Sequence, residues 1–194
     1  ADSAAPIERL ADDALAPPYP DDHAEGGTRV LELQAACPFR AFAEVRLAAR
    51  AAEPARPGID PRLRGKLLHV ALERLWHELD SQRGLCALEE DALTARVITV
   101  VGDVLAREQA RFTWRLTPQA AVIEEERMTG LILTLLARER ERSDFTVAGR
   151  ELKVTMQFGG LTLKGVVDRV DRLADGRRLI IDYKSGRPKT PAWD

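Results

Sequence analysis

Two stretches of the chain hold side chains that could carry out hydrolysis together. They are Gly165-Val166-Val167-Asp168-Arg169-Val170-Asp171 and Leu179-Ile180-Ile181-Asp182-Tyr183-Lys184-Ser185-Gly186. Each reads as a strand, and the turn sequence Ala174-Asp175-Gly176 joins them. Side chains alternate along a strand, so Asp182 and Lys184 share a face. The short connection lets Asp168 approach Asp182. Paired carboxylates are hard oxygen donors that suit Mg²⁺ or Mn²⁺. A lysine beside them supplies a point charge for a phosphate, or an amine to orient a water. Carboxylates, metal and lysine together describe metal-assisted phosphodiester hydrolysis. The alternative is plain ion pairing at strand ends. Against it, Asp182 ends the apolar run Leu179-Ile180-Ile181, which expects a buried strand.

His69 is the second feature. Gly65, His69, Leu72 and Trp76 form one stripe of a helix, and Gly65 leaves room for a backbone or a ligand one turn before the imidazole. The alternative for His69 is a core histidine bonded to a carbonyl. His77 is rotated ~80° from it by helix geometry and should not share the site. His23 falls in a proline-rich stretch and reads as solvated.

Residues 1–28 read as an extension or linker, because Pro17, Pro18 and Pro20 block both helix and central strand. Leu33 to Arg50 reads as a short helical region interrupted near Pro38. Asp60-Pro61 is a cap followed by a first-turn proline, and predicts a helix to about Asp80 with Leu68, Ala71, Leu72, Leu75 and Leu79 inward. A second helix is expected over Glu89 to Arg111, with Leu93, Val97, Val100, Val101 and Val104 inward. A third runs from Thr117-Pro118 to about Arg142, with Met128, Leu131, Ile132 and Leu135 on one face and the run Glu124-Glu125-Glu126 on a solvated one. After Ser143 the period changes to two. Strands are expected over Arg150 to Phe158, Leu161 to Leu173 and Arg178 to Tyr183, with a hairpin at Gly159-Gly160. Helices followed by an antiparallel β-meander make an α+β fold.

The chain has 194 residues, 45% hydrophobic and 31% charged, which suits about one globular domain and excludes a wholly disordered chain. No apolar run is long enough to span a membrane, and no signal peptide is evident, so the expected location is cytoplasmic. The net charge of −2 excludes a uniformly basic coat for nucleic acid but permits a local basic groove. Only Lys66, Lys153, Lys164, Lys184 and Lys189 are lysines, so the place of Lys184 in the strand motif carries added weight.

Taken in order, Gly65-x-x-x-His69, Gly165-x-x-Asp168-Arg169-Val170-Asp171 and Asp182-Tyr183-Lys184-Ser185-Gly186 resemble the RecB-type branch of the PD-(D/E)XK nucleases. Leu33-x-x-x-Cys37-Pro38-Phe39-Arg40-x-Phe42 resembles the entry to the nuclease domain of AddB-like recombination proteins. The resemblance covers about Val30 to Pro188. It implies that His69, Asp168 and Asp182 bind a divalent metal, Mg²⁺ or Mn²⁺. It implies that Lys184 positions the attacking water, that Asp168 and Asp182 are catalytic, and that Glu151 is the acidic residue on the preceding strand. Asp171 is expected to pair with Arg169 or Arg172 rather than with metal.

The resemblance further implies a restriction-endonuclease-like core over residues 29–194 that lacks its C-terminal helix and strand. The expected function is metal-dependent DNA cleavage in recombination or repair, beside helicase-like domains of the same protein or a partner. The alternative is a catalytically silent DNA-binding or scaffolding domain with the same fold. Arg169, Arg172, Arg177, Arg178, Arg187 and Lys189 are candidate contacts to the DNA backbone. An iron–sulfur cluster is not expected, because Cys37 and Cys86 are two thiols where four are needed. Cys37 is then expected to be a buried apolar residue.

Overall fold

The computed structural model describes residues 27–49, 59–111, 116–158 and 160–186. In chain order these form α1 (Arg29–Ala36), α2 (Pro38–Ala41), a π-helical turn (Phe42–Arg46), α3 (Pro61–Leu79), α4 (Gln82–Cys86), α5 (Glu90–Arg111), α6 (Pro118–Arg140), β1 (Phe145–Phe158), β2 (Leu161–Leu173) and β3 (Arg178–Ile181). The fold is α+β, with helices first and then a three-stranded sheet in the order β1-β2-β3.

The described residues pack as two units, one of residues 27–49 with 155–158 and 160–165 and the other of residues 59–111, 116–154 and 166–186. In the first, Val30 and Leu163 are buried among Leu31, Val45 and Leu161. Gly27 has φ +57 and lies against the Lys164 carbonyl, where a Cβ would collide, so both the conformation and the space require glycine. Cys37 joins α1 to α2 in extended backbone and is exposed, contrary to its expected burial; its place between two short helices puts it on the outside.

The second unit holds the larger core. α3 begins where local chemistry directs: the Asp60 carboxylate accepts from the Arg62 amide, and Pro61 takes the first helical position. Asp80 ends it with φ +58. Leu67, Ala71, Leu72, Leu75, Trp76 and Leu79 of α3 pack with Leu93, Val97, Val100, Val101 and Val104 of α5 and with Met128, Ile132 and Leu136 of α6. α6 starts with Thr117 accepting from the Ala120 amide, again ahead of a proline.

Three expectations shift. On α6 the buried stripe runs through Glu124, Met128, Ile132, Leu136 and Glu139, and Leu131 is exposed. Glu124 is therefore buried rather than solvated; Arg64 and Arg127 both bond to its carboxylate. β1 begins at Phe145, five residues before the expected Arg150, because Phe145 and Val147 extend the core beneath α3. β3 is an edge strand of the described sheet, with Leu179 and Ile180 exposed, where the apolar run suggested cover on both faces. Its pairs with β2 run from Arg172 opposite Arg178 to Arg169 opposite Ile181.

Candidate metal centre

Three elements of the second unit bring three metal-ligating side chains together. His69 projects from the middle of α3, Glu151 from β1 and Asp168 from β2. One ligand atom from each lies within 4.8 Å of the others. His69 Nδ1 is 3.4 Å from Asp168 Oδ1 and 3.9 Å from Glu151 Oε1. All three are partly buried, around a small cleft also lined by Glu73, Arg150 and Tyr183.

Glu151 arrives there by an unusual backbone. Its φ is +45, in the left-handed region, inside a strand. Up to Gly149 the strand alternates regularly between buried and outward residues, and past Glu151 the alternation is lost. A non-glycine residue held this way costs about 1–3 kcal/mol, and such positions cluster at ligand sites. The kink turns the carboxylate toward His69 and Asp168. The Glu151 carboxyl holds its proton more tightly than usual, first because burial disfavours its charge and second because Asp168 is close.

The backbone of Tyr183 lies between the other two ligands. Its N–H donates to Asp168 Oδ2 at 2.6 Å, and its carbonyl is 3.0 Å from His69 Nε2. A carbonyl only accepts, so Nε2 carries a hydrogen, and Nδ1 is the ring nitrogen that faces the two carboxylates. Donation of one ring N–H to a carbonyl while the other nitrogen faces the metal position is the usual support of a ligating histidine. His69 is thus bonded to a carbonyl, as its alternative reading had it, and turns its other nitrogen toward the acidic pair.

No lysine or arginine pairs with Glu151 or Asp168 among the described residues, and both carboxylates lie beside the His69 ring. Two carboxylates and an imidazole at this spacing, without a fixed counter-ion, form a donor set that fits a hard divalent cation.

Asp182 and Lys184 stand beside this group rather than within it. They flank Tyr183 just past the end of β3, and Lys184 Nζ is 2.8 Å from Asp182 Oδ2, with both side chains largely exposed. Their common face is the one alternation predicts. A Cβ at Gly65 would sit 3.4 Å from Ser185 Oγ, an ordinary contact with a side chain rather than the close backbone or ligand read from its stripe.

Behind the cleft lies a set of buried charges. Asp171 is fully buried and takes both arms of Arg169, at 2.8 Å each, which is the pairing expected for it. Arg169 Nη2 also donates to Glu139 at 2.6 Å, and Nη1 to the Tyr183 hydroxyl at 3.0 Å. Arg142 bonds Glu139 at 2.6 Å and Asp171 at 2.9 Å. The Arg169 guanidinium stacks on Trp76, 4.1 Å from the ring centre. Burial raises the Tyr183 hydroxyl to about 12.

Arg169 is only 1% exposed, so its expected contact with DNA is corrected: its donors are already taken by protein acceptors. Arg172 and Arg178 are exposed and directly opposite on β2 and β3. Arg177 is exposed and bonds Asp175. Arg187 and Lys189 lie outside the described residues.

Sequence reasoning missed Glu139 and Arg142 in this network. They stand three positions apart at the end of α6 and just beyond it, and nothing local signals a partner on β2. Tyr183 carried a readable sign, since it shares the parity of Ile181 and so points to the same side of the strand.

The sequence was compared with known families and proteins. Residues 29–194 match the family model of the PD-(D/E)XK nuclease superfamily. None of the curated proteins matches the chain.

Proposed function

The chain belongs to the PD-(D/E)XK nuclease superfamily, and from that premise we propose that it is a divalent-metal-dependent deoxyribonuclease of the RecB-type branch, acting in recombination or repair. Nucleases of this superfamily use divalent metals, and the observation that carries the reading is the cluster of His69, Glu151 and Asp168, with which no lysine or arginine of the described residues pairs.

His69 Nδ1, Glu151 and Asp168 would hold Mg²⁺ or Mn²⁺, with Asp182 available from the adjoining segment. The metal supplies a Lewis acid for the phosphoryl oxygen and a lowered pKa for a coordinated water. The chain's own residues do the rest. Tyr183 holds His69 and Asp168 through its backbone. Lys184, kept near by Asp182, offers an ammonium to orient the attacking water and to offset charge on the phosphate. Glu151 would supply an oxygen donor of that set from β1. Arg172 and Arg178 offer exposed charge to a backbone phosphate, which needs no base sequence.

Support for the RecB-type and AddB-like branch comes from the order and spacing of the four motifs on helix and strands. That branch implies helicase-like domains as partners and a cytoplasmic setting. No helix among the described residues is long and apolar enough to cross a membrane.

The test is cleavage of labelled linear DNA by the natural full-length protein with Mg²⁺ or Mn²⁺, and with EDTA. The expected outcome is metal-dependent cutting that Asp168→Asn abolishes. DNA binding without cutting under every metal condition would replace this reading with the silent scaffold.

A further inference from the structure

The buried charges behind the cleft call for an explanation beyond stability. A buried ion pair is weak support for a fold, since well-packed apolar residues commonly do as well. Four charged groups, Arg169, Asp171, Glu139 and Arg142, are nonetheless assembled here and balance one another. They connect to the cleft through the bond from Arg169 Nη1 to the Tyr183 hydroxyl.

Tyr183 lies two residues past Ile181, where the described ladder with β2 ends. The sheet therefore does not hold its backbone. It is held instead by the hydroxyl on Arg169, the amide on Asp168 and the carbonyl on His69, with its ring edge-on to the imidazole at 5.9 Å and 76°. A tyrosine side chain has few rotatable bonds, so fixing its hydroxyl also fixes its main chain. The guanidinium that fixes it cannot shift, because Asp171 holds two of its nitrogens and Trp76 and Phe145 face its plane.

We infer that the Arg169–Asp171–Glu139–Arg142 network is a positioning device for the metal ligands, acting through Tyr183 to keep His69 Nδ1 and the Asp168 carboxylate aimed at one point. The inference rests on the metal-centre reading for its purpose, while the mechanical link from Arg169 to His69 stands apart from it. Arg169, Asp171, Glu139, Arg142 and Tyr183 are positioning residues. Outer partners of this kind alter metal affinity by about 10–100-fold when removed.

The experiment uses Tyr183→Phe, which removes one oxygen and keeps the ring. Two quantities are measured: Mn²⁺ affinity by electron paramagnetic resonance, and the exchange with water of the His69 Nε2–H, bonded to the Tyr183 carbonyl, by ¹H–¹⁵N NMR in metal-free protein. Wild type should show a protected Nε2–H. In Tyr183→Phe that protection should fall and Mn²⁺ should bind about 10-fold more weakly, with a near-wild-type melting temperature. Unchanged protection together with an affinity within about twofold of wild type overturns the inference. Arg142→Gln, which leaves every Arg169 contact in place, should shift both readouts in the same direction by less; no shift in either counts against the inference even if Tyr183→Phe folds poorly. Asp168→Asn separates the two readings. If it keeps full Mn²⁺ affinity the metal centre is wrong, and the Nε2–H protection in Tyr183→Phe alone then decides the positioning link.

Discussion

The carboxylate of Asp171 touches two guanidiniums and no solvent, whereas that of Asp168, on the same strand, touches an imidazole and a backbone amide. Asp171 belongs to a set whose charges cancel. Asp168 and Glu151 belong to a set whose charges do not, and which is partly open to solvent. Both lie in the second unit, and Tyr183 touches both, by its hydroxyl on one side and its backbone on the other. Cancellation inside a core makes charge structural. Its absence, in a cleft with a histidine nitrogen aimed inward, leaves room for a cation. Both kinds of carboxylate occur within Asp168-Arg169-Val170-Asp171, so acidity alone does not distinguish them.

Substitutions at the two aspartates should separate these roles most widely. Asp171→Ala leaves Arg169 buried without its bidentate partner and should cost about 3–5 kcal/mol of stability, read by urea denaturation. Asp168→Asn should leave the urea midpoint near wild type and lower the metal-dependent cleavage rate by at least ~10²-fold. If Asp171→Ala folds normally, or Asp168→Asn unfolds the protein, the division between balanced and unbalanced charge is broken.

Lys184→Ala comes next. The ammonium sits on an exposed pair, and such pairs contribute about 0–1 kcal/mol, so the melting temperature should barely move. Cleavage should drop by about 10²-fold at saturating metal. A loss that excess metal restores would place Lys184 in metal binding instead.

Glu151→Gln tests the unbalanced set on its own fold. The folded state raises the Glu151 pKa above its ordinary 4.5, so the folded chain holds that proton more tightly than the unfolded one. Stability therefore falls as pH rises through the raised value, and the penalty is complete above it. Metal-free Glu151→Gln should melt higher than wild type at pH 8, and the difference should vanish below pH 4.5. Metal affinity should meanwhile fall. A variant that melts lower at pH 8 would mean that the carboxylate is already compensated.

The smallest effect is expected at Gly65. Glycine within a helix is about 1 kcal/mol less favourable than alanine. The added methyl would meet Ser185 Oγ at 3.4 Å, an ordinary contact. Gly65→Ala should thus raise the melting temperature slightly, and it should weaken cleavage only if substrate uses that space.

Much of the fold was legible because it is written in local period. The inward residues of α5 follow from spacing, and the starts of α3 and α6 from a capping side chain before a proline. The strands β1 and β2 and the turn between β2 and β3 were readable from the change to period two and the placement of glycine. Of the site, His69, Asp168 and Asp182 were named as metal ligands, Glu151 as the acidic residue of the preceding strand, and Asp182 with Lys184 as a same-face pair. What was not legible is that Asp182 stands outside the group formed by the other three. Strand parity tells which side a residue takes, not how far a side chain reaches at the end of a ladder.

Residue order and spacing were thus enough for the succession of elements, the ladder neighbours of β2 and the residue types of the centre, because each depends on neighbours a few positions away. The fate of individual charges was another matter. Arg169 looked like a surface cation and became a core residue; Glu124 looked solvated and became buried. Glu151 took a left-handed backbone that nothing around it in the chain requires. In each case the outcome depends on a distant partner: Glu139 lies 30 positions from Arg169, and Arg64 lies 60 from Glu124. Burying a charge is unfavourable by itself and becomes acceptable only when an opposite charge and its hydrogen bonds arrive from elsewhere in the fold. That compensation is a property of packing, and no window along the chain contains it.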